Sequence, residues 1–120
     1  MPNATLTIPP SPEHVRLARL VAVAAARRAG LGDEQVDDVR LAVAEGVSRA
    51  VARHRAGGLE TEVSIGISDS PGSFGVEIAD QADAQAAETD DGIALALIRA
   101  LVPEVEQAGS ILRLRWKQAS

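Results

Sequence analysis

The chain has 120 residues, 46% of them hydrophobic and 24% charged, which predicts one folded domain over 1–120 and argues against disorder. A net charge of −5 and an aromatic content of 2% argue against nucleic-acid binding, which needs surplus Lys and Arg and rings for stacking. The absence of Cys excludes disulfides, thiolate metal sites and cysteine nucleophiles.

The first predicted elements are a strand and a helix. Residues 4–8 alternate polar and apolar side chains and are followed by two prolines, which predicts a short strand. Ser11 as N-cap and Pro12 at the first helical position predict a helix that runs to about Gly30. Its expected buried face consists of Val15, Leu17, Leu20, Val21 and Val23 or Ala24. The basic residues lie largely off that face: Arg16, Arg19, Arg27 and Arg28.

A second helix and a β-hairpin are predicted next. Asp33 is the expected N-cap of a helix over 34–54, which a Gly-Gly pair ends. The apolar positions of this helix are Val36, Val39, Leu41, Val43, Val47, Ala50 and Val51. Residues 60–68 and 73–79 alternate in the manner of strands, and the turn residues between them predict a hairpin.

The last part of the chain predicts a loop, a helix and a second hairpin. Residues 80–91 are acidic and lack periodic apolar positions, which is typical of a loop. A helix is expected over about 92–101, and the strands of a hairpin over 104–106 and 111–116. The order β-α-α-β-β-loop-α-β-β predicts an α+β fold, a two-layer α/β sandwich with helices on one face of a mostly antiparallel sheet.

The second helix carries the first of three motifs that resemble one known family. The segment with Glu45, Arg49, Arg53 and His54 resembles the helix signature of the GHKL anti-sigma-factor serine kinases, which reads Glu, Asn four residues later and often His four beyond. The resemblance implies that Glu45 occupies the position of the general base. Arg49 stands where the family has the Asn that helps to hold magnesium, and Arg53 stands in the His position.

The second motif follows the predicted strand that ends at residue 79. Asp80, Ala82 and Ala84 resemble the Asp-x-Gly-x-Gly box, in which the Asp reads the adenine amino group and the glycines let the backbone approach the base. The resemblance assigns Asp80 to adenine recognition. Both glycines are replaced by Ala, which narrows the approach.

The third motif opens the predicted third helix. Gly92, Ile93, Ala94 and Ala96 resemble the Gly-Arg-Gly-Leu-Gly-Leu box, whose helix start binds phosphates. Gly92 is retained, Ile93 replaces the basic residue, and Ala94 and Ala96 replace glycines. The three motifs occur in family order and spacing across nearly the whole chain.

Several of these residues also have simpler explanations. Glu45 and Arg49 are spaced as an ordinary surface ion pair on a helix, which is favoured over a catalytic role for Glu45; alternatively, Arg49 could replace magnesium as counter-charge to a phosphate. Asp80 could act as a turn or cap residue. His14 and His54 lack ligand partners at metal-binding spacing and are expected to be solvated or capping.

The arginines of the first helix suggest a partner surface. In the resembled family this helix carries an Arg that contacts the sigma factor or its antagonist, and the resemblance assigns that role to Arg16 with Arg19 one turn on. A solvated basic face is the equally weighted alternative. No signal peptide and no apolar stretch of roughly 18 residues is visible, so a cytoplasmic location without membrane contact is expected.

The resemblance implies a regulatory protein with a degenerate nucleotide site. The favoured hypothesis is a dimeric anti-sigma-factor-like domain that binds a sigma factor or a STAS-type anti-anti-sigma protein, without kinase activity and with no cofactor, where the family uses ATP and magnesium. One alternative is an active kinase that phosphorylates the anti-anti-sigma protein. Another is a remodelled pocket for a different small molecule. No metal site and no direct nucleic-acid contact are predicted.

Overall fold

The computed structural model describes residues 2–80 and 88–118, and for 88–91 it describes the backbone alone. A short 3₁₀ turn, Pro12–His14, precedes the first α-helix. The strands and helices in chain order are β1 (Ala4–Ile8), α1 (Val15–Arg28), α2 (Asp33–Ala56), β2 (Val63–Ser70), β3 (Ser73–Ala79), α3 (Glu88–Leu101), β4 (Glu104–Ala108) and β5 (Ile111–Lys117).

The strands form one five-stranded antiparallel sheet in the order β1-β2-β3-β5-β4. β2 and β3 are joined as a hairpin, and so are β4 and β5. The central strand β3 alternates strictly, because Phe74, Val76 and Ile78 are buried while the residues between them are half-buried. The predicted α+β sandwich is therefore confirmed.

The helices pack against the sheet from the side of its buried residues. α1 and α2 contact each other and both contact β2 and β3, while α3 contacts α2 and β4. Gly46 marks a close approach of α2 to the sheet: a Cβ atom there would lie 2.6 Å from Ile78 Cδ1. This contact brings the middle of α2 close to the end of β3, where the second motif begins.

The predicted buried face of α1 is correct only in part, because Val15, Val21 and Val23 pack against the core but are only partly buried. Leu17 and Leu20 are 47% and 52% exposed, whereas Ala18, Ala22 and Ala26 are fully buried. These alanines are spaced i, i+4 and i+8 and form one stripe, and their small side chains let the helix approach its neighbours closely. On α2 the predicted apolar face is buried except for Leu41, which is 54% exposed.

Some predicted element boundaries also shift. Ser11 makes no capping hydrogen bond to the backbone, and its hydroxyl bonds to Glu13. Asp33 is the first residue of α2, and Gly32 is the N-cap. α3 begins at Glu88, four residues before the predicted start. The expected loop over 80–91 is therefore helical from Glu88 onward, and 81–87 lie outside the described residues.

Candidate functional site

The three positions of the helix signature are largely closed to solvent. Glu45, Arg49 and Arg53 are spaced i, i+4 and i+8, which places them along one side of α2. Glu45 is half-buried, and Arg49 and Arg53 are both buried. Charged side chains are rarely buried to this degree without polar partners. Arg49 and Arg53 accordingly interact with other groups of the protein.

Arg53 is paired with Asp80. The Nε–H of Arg53 donates to Oδ2 of Asp80 at 3.1 Å, and both side chains are 2% exposed. One partner comes from α2 and the other from the residue that follows β3. A buried guanidinium and a buried carboxylate in contact neutralise each other where either charge alone would be costly.

Because it is paired with Arg53, the Asp80 carboxylate lies inside the fold. The backbone N–H of Asp80 donates to the Ser110 carbonyl at 3.0 Å, which fixes the chain at the end of β3. Reading an adenine amino group requires a carboxylate edge that a ligand can reach. With Arg53 on one oxygen and the side chain 2% exposed, the described residues offer no such edge to solvent.

Sequence reasoning placed Arg53 in the family's His position but gave it no partner. The available signal was spacing, because a basic residue two turns beyond Glu45 lies on the same side of the helix as the predicted pocket. The pairing itself joins residues 27 positions apart. It depends on how α2 lies over β3, which no local pattern encodes.

Arg49 is buried, so it does not belong to an ordinary surface ion pair. The prediction that Arg49 lies on the surface is wrong, because the side of α2 that carries Arg49 faces into the fold. Its predicted contact with Glu45 stays a prediction. A buried guanidinium at the position expected to hold magnesium is a fixed positive charge, and it would repel a divalent cation placed beside it.

The third motif lies inside a helix. Gly92, Ala94 and Ala96 fall within α3, beyond its first four residues. Only the first amides of a helix lack intrahelical partners, so the amides of 92–96 are not those of a helix start. The predicted helix start at about Gly92 is therefore wrong, and the assignment of Gly92, Ala94 and Ala96 to a degenerate nucleotide site stays a prediction. Ala82 and Ala84 of the second motif lie outside the described residues.

His54 is a structural residue of the interior. Its side chain is fully buried, and Nδ1 lies 2.9 Å from the Thr61 carbonyl oxygen. Since a carbonyl only accepts, this contact places the proton on Nδ1. The expectation of a solvated or capping His54 is wrong, because the last turns of α2 are covered by the segment that leads into β2. His14 is half-buried.

Arg16 and Arg19 lie on a different surface from the nucleotide motifs. Together with Arg55, near the end of α2, they border an open groove of about 430 Å³ between α1 and α2. The structure brings the two predicted partner-binding residues together and adds Arg55, which the sequence analysis did not single out. The sequence signal for Arg55 was a row of small residues on the same side of α2, namely Ala44, Ser48 and Ala52.

Buried charged side chains occupy described positions of the first two motifs. Asp80 is paired and closed, and Arg49 brings a cation to the metal-holding position. Within 2–80 and 88–118, no group of three His, Cys, Asp or Glu side chains could hold a metal ion. In the same part of the chain, no helix has the length and apolar character to cross a membrane.

Comparisons with known proteins place this fold. The family model described as the histidine kinase-like ATPase domain matches residues 8–116. The serine-protein kinases RsbW of Listeria monocytogenes and Listeria innocua are each 34% identical to the chain over 61 residues. That match covers 51% of this chain and 39% of each kinase, so the aligned region spans well under half of the kinases.

A solved structure shows the same fold at low identity. The crystal structure of the RsbU and RsbW domains of Rv1364c from Mycobacterium tuberculosis matches with a TM-score of 0.65 and 16% identity. The match covers 98% of this chain and 32% of that chain. Since the family model covers most of the chain, the chain belongs to the histidine kinase-like ATPase (GHKL) domain family, and within that family it is similar to the RsbW serine-protein kinases.

Proposed function

We propose that this protein is an anti-sigma-factor-like regulator that binds a sigma factor or a STAS-type anti-anti-sigma partner and does not transfer phosphate. The observation that carries the proposal is the buried pair of Arg53 and Asp80, at 3.1 Å. The residue that should read an adenine is bonded to a side chain of the protein itself. A nucleotide would have to break this pair before it could use the carboxylate.

The expected chemistry of phosphoryl transfer adds support. Transfer depends on positioned metal ions and on electrostatic stabilisation, with little covalent work for the protein. The metal-holding position carries Arg49, a buried cation, and the glycines expected at the phosphate-binding helix start have become Ala94 and Ala96 within α3. Each change removes a different requirement of the reaction.

The surface that carries Arg16 and Arg19 supports partner binding. Neither arginine makes a hydrogen bond or an ion pair with any residue that the structure describes. Their charges are therefore available to an acidic partner. This surface lies apart from Arg53 and Asp80, so loss of the nucleotide site would leave it intact.

One observation favours the alternative of an active kinase. Glu45 is retained in the position of the general base and is half-buried, as a base beside a substrate hydroxyl would be. The two functions differ in what ATP does. An active kinase would place phosphate on the STAS protein, whereas the proposed regulator would form its complex with or without nucleotide.

The experiment uses purified sigma factors and STAS proteins from the organism that encodes the chain. Complex formation is followed by size-exclusion chromatography with and without ATP and magnesium, and phosphate incorporation is followed with labelled ATP. We expect a complex that nucleotide does not alter, and no incorporation. Incorporation that the variant Glu45→Gln abolishes would overturn the proposal in favour of the kinase.

A charge-reversed variant tests the surface. Arg16→Glu with Arg19→Glu should abolish capture of the partner because two attractive charges become repulsive, while circular dichroism shows an unchanged fold. Unchanged capture would remove both arginines from the interface.

A further inference from the structure

The groove between α1 and α2 combines an apolar floor with a basic rim. Val15 and Val51 contribute aliphatic surface, and the small side chains of Ala44 and Ala52 leave the floor shallow and open. The rim consists of Arg16, Arg19 and Arg55, and the described residues that line the groove include no Asp or Glu. Such a surface matches an occupant that is apolar along its centre and negative at its sides.

The rim arginines differ from the arginines that serve the fold. Arg28, Arg40, Arg53 and Arg113 are each bonded to a carboxylate of the chain. Arg16, Arg19 and Arg55 have no such partner among the described residues, although the chain has 17 acidic and 12 basic residues. The groove therefore brings together three arginines whose charge is not neutralised by any described carboxylate of the chain.

Exposed leucines prolong the groove along the seam of the two helices. Leu20 follows Arg16 by four residues on α1, and Leu41 precedes Ala44 by three on α2, so each lies on the same helix side as its neighbour in the groove. They are 52% and 54% exposed. From Leu41 to Arg55 the seam runs for about 21 Å, which is roughly four turns of a helix.

We infer that this groove binds an amphipathic helix of a protein partner, with apolar side chains on the floor and carboxylates beside Arg16, Arg19 and Arg55. An elongated apolar groove bordered by charge is the surface that a helix with apolar residues at i, i+3, i+4 and i+7 fills. The small residues on the floor let its backbone come close. The inference rests on the proposed function, because it specifies the partner's chemistry at the surface of Arg16 and Arg19.

The test uses a synthetic probe. A fluorescent helical peptide of about 16 residues, long enough for the seam, carries Leu along one stripe and Glu on both flanks, and a second peptide has Lys in place of Glu. Anisotropy should show binding of the Glu peptide alone, with an affinity that falls as salt rises because exposed charges are screened. Absence of binding, or equal binding of the Lys peptide, would overturn the inference.

Matched variants distinguish binding in the groove from binding that depends only on the overall charge of the protein. Arg55→Gln should weaken the Glu peptide by at least about fivefold, and Arg27→Gln should not, since Arg27 is also exposed and in the last turn of its helix but outside the groove. Ala52→Leu adds bulk to the floor at an exposed position without changing charge, and it should weaken binding as well. Equal affinities for all three variants would contradict the inference.

The outcome can be told apart from failure of the proposed function. If wild-type protein captures a sigma factor or STAS protein and Arg55→Gln and Ala52→Leu capture it equally well, the proposed function stands and the groove is excluded. If the Glu peptide binds in an Arg55-dependent way but no sigma factor or STAS protein is captured, the groove stands and the proposed function fails.

Discussion

Arg53 reaches Asp80 from two turns beyond Glu45, and the contact is closed to solvent on both sides. A buried ion pair adds little net stability, because removing two charges from water offsets their attraction. Breaking the pair is strongly destabilising, because one charge then stays buried without its partner. The pair therefore resists any ligand that would draw Asp80 away from Arg53.

A double-mutant cycle measures this coupling. Arg53→Met keeps the bulk of the side chain and removes its charge, and Asp80→Asn removes the opposite charge. Each single variant should lose about 3–5 kcal/mol of unfolding free energy, and the double variant should lose much less than the sum. Urea denaturation of the four proteins gives the coupling. Additive losses would show that the two charges do not depend on each other.

Sequence patterns located the residues of this pair but not their contact. The strand pattern placed Asp80 at the end of a strand, and the family resemblance placed Arg53 on the side of the helix that faces the expected pocket. Their contact depends on how closely α2 approaches β3, and that distance is set at Gly46, where even a Cβ atom would meet Ile78. Local spacing carries no information on such tertiary distances.

At the scale of elements, strands were easier to predict than helix faces. β1 and β3 lie within the predicted bounds because alternation has a period of two and prolines or turn residues end it. For α1, choosing the largest apolar residues selected Leu17 and Leu20, which are exposed. Hydrophobicity ranks Leu above Ala, but close packing in this fold uses the alanine stripe.

A polar network fastens three elements near the β2–β3 turn. Asp69 in β2 accepts a hydrogen bond from Arg28 Nε, at the end of α1, at 2.7 Å, and another from the Asn3 side-chain amide, just before β1. The pKa of Asp69 is lower than its ordinary value, mainly because of the side-chain hydrogen bond from Arg28 and secondly because of the one from Asn3. The charged form of Asp69 is therefore the one that links these elements.

This network predicts a pH dependence. A carboxyl group whose pKa is lower in the folded state adds stability above its unfolded pKa, about 3.9 for Asp, and that stability is lost as the pH falls through the folded pKa. Wild-type protein should be more stable than Asp69→Asn at neutral pH, and the difference should shrink in acid. The increment is expected to be small because Arg28 is 74% exposed.

Urea denaturation of both proteins across this pH range checks the prediction. Other carboxyl groups titrate in both proteins, so the informative quantity is the difference between them. A difference that stays constant from neutral pH into acid would contradict the role assigned to the charged Asp69.

For the whole molecule, the fold separates two surfaces that α2 shares. One side of α2 carries Glu45, Arg49 and Arg53, the last of which is paired with Asp80 at the end of β3. The adjacent side borders the groove with Arg16, Arg19 and Arg55. Changes that close the first surface need not disturb the second, which is the arrangement expected of a scaffold retained for binding.

Titration with ATP and magnesium tests the central claim most directly. A ligand at one hundred times its Kd stabilises a folded protein by about 2.7 kcal/mol, which would raise the Tm by several degrees in a chain of this size. Thermal unfolding and calorimetry are run on the wild-type protein, and Listeria monocytogenes RsbW serves as the positive control. We predict no magnesium-dependent heat in the micromolar range and no rise in Tm for the wild-type chain. Micromolar, magnesium-dependent binding by the wild-type chain would contradict the account.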